Sequence, residues 1–121
     1  MEALNKQLDF IIELDLLKGI YRQALVKSDE NRFENSAEHS WHISLTAQIL
    51  HEYAVEKVNI SRVMSMLLIH DIVEIDAGDM FAFSEQEDHA EQEIKELAAA
   101  TRIFGLLPEN QFQNFKQLWL E

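Results

Sequence analysis

The chain has no cysteine, a single proline and only three glycines. Without thiols it forms no disulfide and offers a metal no thiolate, and the cytoplasm is the default compartment. So few turn-formers leave little material for the tight connections of a sheet protein, and the reading is all-helical. No apolar run approaches the roughly 18 residues of a membrane span. The opening decapeptide has neither a basic leader with an apolar core nor a small-residue cleavage site, so no signal peptide is expected. Cations are scarce too. Ten Lys and Arg against 22 Asp and Glu give a formal net charge of −12. A surface this negative repels a phosphate polymer, which weighs against nucleic acid as a partner. A small phosphorylated molecule is not excluded, because a metal and two or three local cations can hold one phosphate.

What is present is an ordinary globular composition, 47 % hydrophobic and 26 % charged over 121 residues, enough for one domain spanning 1–121. Leu4, Leu8, Ile11, Ile12, Leu16 and Ile20 recur at helical spacing and predict a first helix to about Leu25, with Gly19 its weak point. The polar stretch 27–35 reads as a loop. Asn35 and Glu38 have capping-box spacing and open a second helix to about Val55, with Ile43, Ala47, Leu50 and Ala54 as its buried stripe. A third helix begins near Asn59 and carries Ile60, Val63, Met66, Leu67 and His70 on its inner face. From Glu74 to Phe83 the helical pattern lapses, and Gly78 marks an unusual backbone angle. Ser84 with Glu87 caps a fourth helix that Gly105 ends. Pro108 opens a fifth, still running at Glu121. The fold expected is all-α: a single-domain bundle of about five helices.

The chemistry gathers at His70-Asp71. His39 lies on the inner face of the second helix and His70 on that of the third, while Glu74, Asp76 and Asp79 follow closely. A lone inward histidine is more often a hydrogen-bonded core residue than a ligand. Two of them with an adjacent aspartate are harder to bury without a cation, since unpaired ionisable groups cost several kcal/mol inside a protein. Nitrogen and carboxylate donors without thiolate suit Mn, Fe, Co, Ni, Zn or Mg at a catalytic position.

The segments 34–42 (ENSAEHSWH) and 67–79 (LLIHDIVEIDAGD) resemble the HD-domain metal-dependent phosphohydrolases. The likeness is strongest to the branch containing 5′-deoxynucleotidases, and the tail 98–119 looks similar to that branch as well. The resemblance implies an HD-domain bundle with His39, His70 and Asp71 as metal ligands. It implies Glu74 as the group positioning the attacking water and Asp79 as general acid or its support. The reaction implied is release of phosphate from deoxynucleoside 5′-monophosphates. The family's fourth ligand is an aspartate on a later helix, so the chain reads as C-terminally shortened, lacking the usual last helix and binding metal more weakly. The rival functions are a non-catalytic, regulatory HD nucleotide-binding module, and hydrolysis of cyclic nucleotides or (p)ppGpp.

Arg22, Lys27 and Arg32 precede the first motif, where a solvated loop competes with phosphate binding. Arg32 matches a basic position of the family and is the first choice for the phosphate, with Arg22 second. His42 reads as a neighbour of the site rather than a ligand, and His51 and His89 as solvated. Trp41 reads as core more readily than as a cover for a base. Glu85, Glu87, Glu91, Glu93 and Glu96 read as the wet face of the fourth helix. Phe112, Phe115, Leu118 and Trp119 form an apolar stripe with nothing after it to cover it, which favours a homodimer.

Overall fold

The first helix, α1 (Glu2–Leu14), is carried on as one 3-10 stretch over Asp15–Gly19 and then stops. The computed structural model describes residues 1–78 and 86–121, the latter with side chains from His89 on. Beyond Gly19 the chain is extended. Tyr21–Val26 (β1) pairs antiparallel with Arg32–Asn35 (β2), in the register Tyr21 opposite Asn35 and Leu25 opposite Phe33. A hairpin therefore replaces both the end of the expected first helix and the expected loop. Local periodicity carried the helix too far: Gly19 weakens it, and Tyr21–Val26 finds a partner strand that a reading of nearest neighbours cannot see. Glu30 and Asn31, both at positive φ, turn the hairpin.

The hairpin leads directly into α2 (Ser36–Leu50), where Asn35 accepts a hydrogen bond from the Glu38 amide at 2.9 Å, the cap expected from the sequence. Arg32 ties this corner together. Its guanidinium bonds Asp29 and makes two bonds to Glu38, at 2.8 and 3.1 Å. The buried face of α2 differs from the expected stripe: Ser36, Ser40 and Ser44 face inward, while Leu50 and Ala54 are exposed. Small side chains let α2 approach its main neighbour α3 (Ile60–Ile69) closely. Ser36 Oγ donates to Glu74 and Ser44 Oγ to the Ser40 carbonyl. Trp41, expected in the core, is 62 % exposed on the other side.

A short α4 (Glu74–Ala77) ends at Gly78, whose φ of +76° is the unusual angle expected there. Then come α5 (Gln86–Phe104) and α6 (Glu109–Leu120). The cap expected at Ser84, and Asp79, lie outside the described residues. The second half of α5 is the heart of the core: Ala99, Ala100, Ile103 and Phe104 are buried, joined by Phe10, Leu17, Ile69, Ile72, Val73 and Leu107. Phe10, Phe104 and Phe115 meet with ring centroids 6.0–6.3 Å apart and pin α1, α5 and α6 to one another. Arg102 adds a polar clamp, bonding Glu13 of α1 and Asp76 of α4.

The apolar stripe of α6 is not uncovered as the sequence suggested. Phe112, Phe115, Leu118 and Trp119 all pack against this core, so the stripe supplies no argument for self-association. Among the described residues no helix is long and apolar enough to cross a membrane.

Candidate metal centre

The start of α2 and the turn that closes α3 converge on one place. His39 is on the first turns of α2, His70 closes α3, and Asp71 follows it in the turn toward α4. Each offers one donor atom, and the three donors lie within 4.8 Å of one another. His70 Nε2 is 3.1 Å from Asp71 Oδ1. Two donors held at about 2.1 Å from one ion and at right angles are about 3 Å apart, so this pair already has the spacing of neighbouring ligands. His70 Nδ1 lies 2.5 Å from the Leu67 carbonyl oxygen, which accepts its proton and leaves Nε2 free as a donor to a metal. The residues fit a divalent ion.

The side chains are sheltered but reachable: exposure is 13 % for Asp71, 22 % for His39 and 37 % for His70. Burial and the nearby Arg22 charge hold His39 below the usual histidine range, which favours the neutral, metal-binding form. Burial also acts to lower His70, but the hydrogen bond and charge of Asp71 outweigh it and raise that imidazole.

The hairpin supplies the site's second tier. Arg22 on β1 donates from Nη1 to Asp71 Oδ2 at 3.4 Å, and its Nε is 3.7 Å from Glu34 Oε1 on β2. The same Glu34 oxygen is 3.4 Å from His39 Nδ1. Below them Glu74 is buried and accepts the Ser36 hydroxyl at 2.8 Å.

Of the residues singled out from the sequence, His39, His70, Asp71 and Arg22 come together. Arg32 does not join them; its described contacts are Asp29, Glu38 and the Phe33 carbonyl. Asp76 turns away to Arg102. His42, His51 and His89 are exposed, as are Glu91 and Glu93, while Glu85 and the Glu87 side chain fall outside the described residues. Glu96 departs from the expected wet face: it is half-buried, and its carboxyl is raised by burial, with the Asp71 charge adding to the effect. Glu34 and Ser36 carry site contacts that spacing alone did not reveal, because Glu34 meets Arg22 only once the hairpin pairs.

The HD domain family model matches residues 14–121, nearly the whole chain. The chain belongs to the HD-domain family. It is 27 % identical over 118 residues to the 5′-deoxynucleotidase HDDC2 of Danio rerio, covering 98 % of this chain and 57 % of that protein. For the human 5′-deoxynucleotidase HDDC2 the values are 26 % over 114 residues, covering 94 % of this chain and 54 % of the other. The chain thus spans little more than half the length of these relatives. The crystal structure of a predicted metal-dependent phosphohydrolase from Magnetospirillum magnetotacticum MS-1 superposes with a TM-score of 0.87 at 51 % identity. It covers all of this chain and 60 % of that one.

Proposed function

We propose that this HD domain carries a metal-dependent phosphohydrolase site that releases phosphate from (deoxy)nucleoside 5′-monophosphates. The observation that carries the reading is the convergence of His39 from α2 with His70 and Asp71 from the turn after α3, their donors within 4.8 Å of one another. The names of the relatives, 5′-deoxynucleotidase and predicted metal-dependent phosphohydrolase, support it.

A divalent ion held by His39, His70 and Asp71 supplies an acidified water and a Lewis acid for the phosphoryl group when bound. The chain's own residues do the rest. Glu74 takes a proton from the attacking water, with the Ser36 hydroxyl fixing one of its oxygens so that the carboxylate keeps its aim. Arg22 offsets charge on the phosphoryl oxygens. Arg32, already committed to two carboxylates, leaves that task to Arg22. As the water oxygen bonds to phosphorus, the bond from phosphorus to the 5′ oxygen breaks. Asp79, assigned through the family resemblance, protonates the departing oxygen or holds the group that does.

The test is phosphate release from a panel of ribo- and deoxynucleoside monophosphates with Mn, Co or Mg added in turn. Turnover of 5′-monophosphates that disappears on chelation is the expected result. Turnover only of cyclic nucleotides or guanosine polyphosphates would replace the substrate class, and no turnover with tight nucleotide binding would make the domain a regulatory module.

A further inference from the structure

We infer that Glu34 is the positioning carboxylate of the metal centre, holding His39 in the tautomer that presents Nε2 to the ion and anchoring Arg22 beside Asp71. The inference rests on the metal reading above and extends it to a residue outside the ligand set.

Glu34 stands on β2 next to the helix start, and its side chain is only 16 % exposed, whereas its neighbours Arg32 and Phe33 face solvent. One of its oxygens, Oε1, faces two donors at once. It is 3.4 Å from His39 Nδ1 and 3.7 Å from Arg22 Nε. Arg22 Nε is buried and has no hydrogen-bond partner among the described residues, so it is a donor that a small approach would satisfy. A movement of about half an ångström would bring both contacts to ordinary hydrogen-bond length.

The two imidazoles are then treated alike. His70 gives its Nδ1 proton to the Leu67 carbonyl, and in this proposal His39 gives its Nδ1 proton to the Glu34 oxygen that faces it at 3.4 Å. In each case the outward nitrogen is tied down and the inward one is left to donate its lone pair. From Glu34 the line of contacts runs on through Arg22 to Asp71 Oδ2, and from Asp71 Oδ1 to His70 Nε2. Glu34 thus links the first ligand to the other two through the hairpin. Among the described residues, its loss would leave Arg22 with Asp71 alone and take from His39 Nδ1 the carboxylate it faces.

The tautomer can be read without metal, in long-range proton–nitrogen spectra of the full chain labelled with 15N-histidine. Wild-type His39 should carry its proton on Nδ1. Glu34→Ala should move that proton to Nε2 and weaken zinc binding about 10–100-fold, the usual loss for a partner behind a ligand. Glu34→Gln, whose amide oxygen can still accept from Nδ1, should keep the tautomer and most of the zinc affinity; a hairpin residue with a merely structural role would not show this rescue. Unchanged tautomer and unchanged zinc affinity in Glu34→Ala would overturn the inference. If Glu34→Ala does not fold, the wild type alone is decisive, since a His39 protonated on Nε2 overturns the assignment. A wild-type chain that binds no zinc would contradict the metal reading, while its His39 tautomer would still report on Glu34.

Discussion

His70 Nε2 and Asp71 Oδ1 lie 3.1 Å apart, so two side chains adjacent in sequence hold the spacing that neighbouring ligands of one ion would need. The backbone turn after α3 makes this possible, because His70 still has helical dihedrals while Asp71 begins the turn toward α4.

Replacing Asp71 with alanine removes a ligand and the partner of Arg22, but little packing volume, since Asp71 is not among the core side chains. Divalent-metal affinity should fall on the order of 100-fold or more, and metal-dependent phosphate release should be lost. Far-ultraviolet circular dichroism should remain that of a helical protein. Undiminished turnover would rule out the role given to Asp71.

Arg22→Ala should act on substrate rather than on metal. With Arg22 gone, a phosphoryl group loses a cation worth about 1.5–3 kcal/mol in a charge-assisted hydrogen bond. The expected result is a raised KM and a lower kcat/KM for nucleoside monophosphates, with the metal titration shifted far less. Arg32→Ala should leave KM nearly unchanged, because Arg32 spends its guanidinium on Asp29 and Glu38. The reverse ranking of the two variants would return the phosphate to Arg32.

Glu74 and Ser36 separate chemistry from support. Glu74→Gln should cut kcat about 100-fold or more while nucleotide still binds, the scale expected for loss of a general base. Ser36→Ala removes one hydrogen bond from a buried carboxylate and should cost about 1–3 kcal/mol of stability in urea unfolding. Equal losses of binding and turnover in Glu74→Gln would make that residue structural.

Gly105 closes α5 where there is no room for a side chain: a β-carbon there would sit 2.4 Å from the Thr101 carbonyl oxygen. Backbone cannot yield as the tip of a side chain can, so Gly105→Ala should destabilise by about 1–3 kcal/mol. An unchanged urea midpoint would contradict the close approach.

The cluster of His39, His70 and Asp71 was legible in the sequence because each is placed by one local rule. Inward helical spacing gave His39 and His70, and adjacency gave Asp71. The Asn35 cap and the positive φ at Gly78 followed from local chemistry in the same way. The hairpin was not legible. Tyr21–Val26 carries a helix-compatible apolar spacing, and only pairing with Arg32–Asn35 makes it a strand. That one missed pairing hid Glu34, and with it the contacts that place Arg22 beside Asp71 and Arg32 on Asp29 and Glu38. The serine face of α2 was hidden for a related reason: apolar periodicity finds oily stripes, whereas close helix approach selects small side chains whatever their polarity. The α6 stripe was found correctly, but its cover comes from residues as distant in sequence as Phe10.

The most direct test of the metal centre is an anomalous difference map from zinc-soaked crystals of the chain. One strong peak is expected among His39, His70 and Asp71, about 2.0–2.2 Å from the Nε2 atom of each histidine and from a carboxylate oxygen of Asp71. A zinc peak elsewhere with none among these three, in a protein whose helices are intact, would contradict the account.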